Sequence, residues 1–181
     1  MKQSGTTLLE LLVVVAVSAI LLTLAVPSFG AFVRNSQMTS ATNALISALQ
    51  LTRSEAIKRG SYAVMCPSAT GSSCASAGDW DQGWLVFHDA NNNAGVDAGD
   101  AVILTSPPLP AGLRATSKGS TARYISYESS GGTRQITNAF QSGTLTVCSE
   151  SGSLDSARQI IISKTGRARS ARIALASCPW R

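Results

Sequence analysis

Four cations near the end of the chain have the types and spacing of an anion site. Lys164, Arg167, Arg169 and Arg172 fall within nine residues of the segment RQIIISKTGRARSARIALASC. Strand-like runs at Arg158–Lys164 and Ala171–Ser177 flank TGRARS, Thr165–Ser170, so the segment reads as a hairpin with a basic tip. Gly166 supplies the positive φ that lets such a turn close. Arg167 and Arg169 are expected to project from the loop, with Lys164 and Arg172 at its shoulders. Guanidinium forks suit phosphate oxygens, bidentately and with charge assistance. No aromatic is interleaved, and the nearest ring in sequence is Trp180. The chemistry expected is therefore contact with backbone phosphates, with little sequence preference and no base stacking. Neutralising four phosphates gives a slope of log K on log salt of about −3.6.

A second constellation is acidic. In DANNNAGVDAGD, oxygen ligands stand at Asp89, Asn91, Asn93, Asp97 and Asp100, near the 1, 3, 5, 9 and 12 positions of a calcium loop. The sixth position is Ala94 rather than Gly, the twelfth is Asp rather than Glu, and no helices flank it. Asn, Asp and Gly are also what a strand connection needs for Asx turns and left-handed backbone. The loop reading is preferred, with calcium kept as the alternative, and no cofactor is expected.

The cysteines are Cys66, Cys74, Cys148 and Cys178, an even set without a CxxC pair. That count, behind a segment that would export the rest, suggests disulfides in an oxidising compartment. Three pairings are open. Cys66–Cys74 across a short loop and Cys148–Cys178 between late strands are favoured. Zinc is disfavoured by the spacings and by the single histidine, His88. No Ser-His-Asp set, phosphate loop or HExxH motif is present, so the sequence does not read as an enzyme.

Charge is segregated along the chain. The formal net charge is +5, yet no Lys or Arg lies between Arg59 and Arg114, where Asp79, Asp81, Asp89, Asp97 and Asp100 cluster. After Asp155 there are only cations. The basic end points to an anionic partner.

These groups need positioning, and the start of the chain is the largest element available. Thr6–Val26 is a 21-residue apolar run with one charge, Glu10. Helical, it reaches about 30 Å, enough to span a bilayer core. It is longer than a signal-peptide core, and its helical pattern continues past Val26. Pro27 is expected to kink or loosen the helix near Leu22–Thr23. From Arg34 the pattern is amphipathic, with Met38, Ala41, Leu45, Ala48, Leu49, Thr52 and Ala56 on one stripe. Glu55 pairs with Arg59 at i+4, and Gly60 suits the C′ position. One helix is expected over 6–59, with 6–26 in lipid or a bundle of like helices and 34–59 laid on a soluble domain.

After Gly60 the period changes to two. Candidate strands are Ser61–Cys66, Trp84–His88, Ala101–Thr105, Arg123–Glu128, Thr144–Ser149, Arg158–Lys164 and Ala171–Ser177. The fold class is α+β, with a long N-terminal helix on an antiparallel β-domain of two small sheets over 60–181.

GTTLLE, Gly5–Glu10, resembles a type IV prepilin processing site. The resemblance implies a leader over 1–5, cleavage by a prepilin peptidase between Gly5 and Thr6, and N-methylation of Thr6, here in place of the usual Phe. It places Glu10 fifth in the mature chain. A buried Glu10 needs a cationic partner, which the N-terminus of a neighbouring subunit can supply. Cys66-Pro67-Ser68, the segment Gly83, Trp84, Val86, Phe87 and Asp89, and the late Gly166-Arg167-Ala168-Arg169 resemble minor pilins of the FimT/FimU type, with a GspH-like β-domain. That resemblance implies a type IV pilin-like fold and other pilins as partners. It implies insertion in the bacterial inner membrane as a single pass with a periplasmic C-terminal domain, then display on the pilus at the cell surface. In FimT-like members the GRxR loop is associated with binding DNA for natural transformation, which implies sequence-nonspecific double-stranded DNA as ligand. The alternative is a structural subunit without DNA binding, either a pilus primer or a type II secretion pseudopilin.

Overall fold

The computed structural model describes residues 7–76, 79–150, 157–175 and 177–178, without the side chains of 24–28 and 31. The leader 1–5 and Thr6 lie outside the described residues, as does Trp180. By packing, the chain divides into two units, Met1–Ser36 and Gln37–Arg181.

Helix α1 runs from Leu8 to Arg59 and continues without a break through Pro27. Thr7 caps its start, its Oγ1 accepting the Glu10 N–H at 3.3 Å. Glu10 in the first turn and Lys58 and Arg59 in the last complement the helix dipole. At the far end Gly60 takes φ +62°. Its N–H reaches Ile57 O and the Ser61 N–H reaches Ala56 O, each at 3.2 Å, which is a Schellman stop. Glu55 accepts from Arg59 Nε at 2.8 Å, the main reason its carboxyl sits below the usual carboxylate range.

In the first unit the apolar side chains from Leu8 to Leu22 are exposed all round the helix. Such a surface needs lipid or like helices around it. Among the described residues no helix is long and apolar enough to cross a membrane. The apolar run with described side chains, Leu8–Thr23, is sixteen residues, about 24 Å of helix. The described side chains therefore cover only part of the run Thr6–Val26, Thr6 and the side chains of Leu24, Ala25 and Val26 lying outside the described residues.

The second unit begins inside α1. Met38, Leu45 and Leu49 are fully buried, with Ala41, Ala48, Thr52 and Ala56 beside them, so the whole expected stripe faces the core. Each large apolar side chain buried this way contributes about 1.5–3 kcal/mol. The stripe meets Met65, Val86, Ile125 and Tyr127 from one sheet and Leu145, Val147, Ile160 and Ile162 from the other. Among the described residues, eight strands make two antiparallel four-stranded sheets. Those strands are β1 (Tyr62–Pro67), β2 (Trp84–Asp89), β3 (Val102–Ser106), β4 (Leu113–Ser117), β5 (Ile125–Tyr127), β6 (Gly143–Ser149), β7 (Ala157–Ile162) and β8 (Ala168–Ile173). The sheet orders are β3-β2-β1-β5 and β4-β6-β7-β8.

Two strands depart from the sequence expectation. β4 was not anticipated: Pro107, Pro108, Pro110 and Gly112 precede it and mask its short alternation. β8 begins at Ala168 rather than Ala171, because the turn before it is tighter than expected.

β5 has three residues at a sheet edge, so its pairing is completed by a side chain. Gln141, fully buried, donates from Nε2 to Ser120 O (2.8 Å) and Tyr124 O (2.9 Å). Its Oε1 accepts the Ser126 N–H at 2.9 Å. Gln141→Leu orphans all three backbone groups. The expected cost is about 2–3 kcal/mol, read in urea as a lower midpoint at unchanged slope. A cost under about 1 kcal/mol would mean that water replaces the amide.

Candidate nucleic-acid interface

The basic hairpin forms, with its register set by Ile162 opposite Ala168, Ile161 opposite Arg169 and Arg158 opposite Arg172. The turn occupies Ser163–Arg167. The Gly166 N–H bonds Ser163 O at 2.9 Å and the Ser163 N–H bonds Arg167 O at 3.0 Å. Ser163 Oγ adds a stitch by accepting the Arg167 N–H at 3.2 Å. Gly166 sits at φ +78° and is buried; a Cβ there would collide with Gly131 O and lie 3.0 Å from Tyr127 Cε1. The tip is thus docked against the turn after β5. Further bonds hold it there, from the Thr133 N–H to Lys164 O (3.2 Å) and from Thr133 Oγ1 to Ser163 O (3.0 Å).

The structure redistributes the four cations. All four are exposed. Arg169 was expected on the loop but lies within β8, a consequence of the tight turn at Gly166. Strand alternation then puts Arg169 and Arg172 on opposite faces of the sheet. Arg172 shares the core-side face with Arg158, whose Nη2 donates to Thr39 Oγ1 at 2.9 Å on α1. Burial, and then the Arg172 charge, lower the Arg158 pKa. Arg172 is therefore not part of the same cluster as Arg169.

Other residues take its place. Arg167 lines a cavity of about 290 Å³ with Gln50 and Arg53 of α1 and with the buried Tyr127. Burial pushes the Tyr127 hydroxyl far above its usual range, so it stays a neutral donor. On the other side of the tip, Lys164 Nζ lies 5.5 Å from the centre of the Phe140 ring, and the Arg134 guanidinium carbon lies 4.7 Å from it. Arg134 is itself held by Glu128, Nε to Oε2 at 2.6 Å. Burial pushes the Glu128 carboxyl up, but the Ser130 and Arg134 hydrogen bonds outweigh it, leaving the group below its usual range. Arg53 and Phe140 were missed in the sequence. Arg53 reads there as a solvated helix cation, and Phe140 is distant along the chain. The exclusion of aromatics from the basic site does not hold in three dimensions.

The acidic loop is a closed hydrogen-bond network. Asp89 is fully buried and accepts the Asn93 and Ala94 N–H groups at 3.1 and 2.8 Å. Asp97 Oδ2 accepts from Asn91 Nδ2 (2.8 Å) and Asn93 Nδ2 (2.7 Å), and Asp100 accepts the Asp97 N–H at 2.9 Å. Among the described residues no three His, Cys, Asp or Glu groups gather into a metal site. Ala94 and Val96 lie against the second core cluster on the outer face of β1 and β2, so the loop covers apolar surface. Disulfides join Cys66 to Cys74 and Cys148 to Cys178. Glu10 is exposed in the first turn of α1, and Gly5 and Thr6 lie outside the described residues.

Residues 41–166 match the family described as type II transport protein GspH, and residues 1–26 match the prokaryotic N-terminal methylation motif. Among curated proteins no relative matches. Among solved structures, the type IV minor pilin FimU of Pseudomonas aeruginosa is similar with a TM-score of 0.59 at 23% identity, over 82% of this chain and 99% of that one. The minor pseudopilin EpsH of the Vibrio cholerae type 2 secretion system is similar with a TM-score of 0.52 at 14% identity, over 75% of this chain and 97% of that one. At these identities the two structures speak for the fold.

Proposed function

We propose that this chain, which belongs to the GspH family of type II transport proteins, is a minor pilin of a type IV pilus that holds DNA by its phosphates. The observation that carries the ligand is the docked tip. It presents Lys164 and Arg167, sets Arg53 of α1 beside Arg167, and has Arg169 as the second residue of the following strand. Arg53 thus joins Arg167 on the α1 side of the tip, while Lys164 lies on its other side and Arg169 on the outer face of β8, four cations around the tip rather than one cluster.

The N-terminal half supplies delivery. Cleavage after Gly5 and N-methylation of Thr6 fit the methylation motif over residues 1–26. The helix would hold the protein in the inner membrane with its C-terminal domain in the periplasm. It would then enter the filament, where an all-apolar surface packs on like helices and Glu10 meets a neighbour's terminal amine. Captured DNA would be carried inward for transformation. The family description and the likeness to EpsH favour a second reading, a structural pseudopilin or pilus primer without DNA.

A salt titration with a duplex oligonucleotide separates the two. For the full chain in detergent the expected slope is about −3.6. Arg167→Gln with Arg169→Gln should make it shallower by about 1.8 and weaken binding roughly tenfold to a hundredfold at fixed salt. Unchanged affinity and slope would leave only the structural reading.

A further inference from the structure

We propose that Phe140 is a stacking platform for an unpaired nucleobase, so that the basic tip takes single-stranded nucleic acid more tightly than duplex. This rests on the DNA-binding reading and extends it. The ring is 59% exposed, although it belongs to a rigid element. Arg134 and Phe140 face each other as an antiparallel bridge. The bend between them is closed by Gln135 N–H to Ala139 O (2.8 Å) and Asn138 N–H to Gln135 O (2.9 Å), with Asn138 at φ +64°. Tyr124 Oη accepts the Ile136 N–H at 3.1 Å and fixes the bend to the body of the domain. The next residue is the buried Gln141, which anchors the backbone behind the ring. The aromatic surface is therefore held out in water by a backbone that has little freedom to withdraw it.

The surroundings decide what that surface receives. Arg134 and Lys164 both approach the ring within about 6 Å, the range of cation–π attraction. An apolar protein surface pressed on Phe140 would have to desolvate both cations, which disfavours it. A nucleobase offers a flat π face to the ring; both cations lie over that ring, so a stacked base takes the place that Lys164 gives up as it turns to a phosphate. Arg134 is fixed by Glu128 and by a bond from Nη1 to Asn138 O at 3.0 Å. Lys164 arrives from the exposed tip and can turn from the ring to a phosphate. An aromatic face beside a cationic track is the arrangement used by sequence-tolerant single-strand binders. In duplex DNA the base faces are occupied by their neighbours, so the platform adds nothing there.

Fluorescence anisotropy on the full chain in detergent tests this, with one labelled oligonucleotide as single strand and as duplex at the same salt. Phe140→Leu is expected to weaken single-strand binding about five- to hundredfold and to leave duplex binding within about twofold. Phe140→Trp should restore it, and the melting temperature should not move. The Arg167→Gln, Arg169→Gln variant should weaken both ligands. If Phe140→Leu binds single strands like the parent while the arginine variant loses binding, the platform is wrong and the phosphate site stands. If the parent binds neither oligonucleotide, the phosphate reading fails and the platform with it.

Discussion

Gly166→Ala is expected to undo the basic tip and to destabilise the domain by about 2–5 kcal/mol. Two costs add. A Cβ residue at φ +78° loses about 1–2 kcal/mol to the left-handed backbone. The new methyl also falls on Gly131 O, a backbone atom that cannot rotate away, and forcing such a contact costs about 1–3 kcal/mol. Gly131 lies close to α1, where an added Cβ would sit 2.9 Å from Ile57 Cδ1 and 3.0 Å from Arg53 Nε, so the turn after β5 has little room to retreat toward α1. The tip has to lift instead, giving up the bonds from Thr133 to Ser163 O and Lys164 O and separating Arg167 from Arg53. Duplex affinity should fall although every cation is still present. Chemical denaturation and a duplex titration check the two halves of this expectation. A stable variant with unchanged DNA affinity would show that docking of the tip does not matter.

Removing the Cys148–Cys178 bridge is expected to cost more than removing Cys66–Cys74. The first closes 30 residues and the second 8. Loop-closure entropy then assigns about 3.5 kcal/mol to the long bridge and about 2.5 kcal/mol to the short one. Their structural roles point the same way. Cys148 on β6 and Cys178 beyond β8 pack with Ala157, Ile173 and Leu175 as a small cluster of their own. Among the described residues β8 is an edge strand, paired only by β7. Without the bridge its free end has little else to hold it. Cys148→Ala with Cys178→Ala should lower the urea midpoint more than Cys66→Ala with Cys74→Ala. Amide exchange should rise first in Leu175–Ile173 and spread along β8 toward Arg169. Equal losses, or the reverse order, would overturn the argument.

Much of this architecture was legible in the amino acids. The stripe from Met38 to Ala56 repeats at helical spacing, and every member is buried. Gly60 after two basic residues marks the helix stop. Period-two runs located seven of the eight strands to within a few residues. Such patterns are local: a residue's neighbours at one helical or pleated repeat are all close in sequence. β4 failed because proline and glycine before it outweighed five residues of alternation. β8 slipped by three residues because nothing local shows that Gly166 is clamped against Gly131, 35 positions earlier.

By itself, then, the sequence determined an apolar helix with a processing-site pattern, an antiparallel domain behind it, and a basic hairpin at the end. It also determined the charges available for a phosphate ligand, since composition and spacing do not depend on packing. Which charges act together was decided by the tertiary structure alone. Register placed Arg169 in a strand and turned Arg172 to the other face. Packing of the tip on α1 recruited Arg53, and the bend after β5 set Phe140 beside Lys164. Faces and neighbours across such distances follow from where three layers meet, which no periodicity within one element encodes.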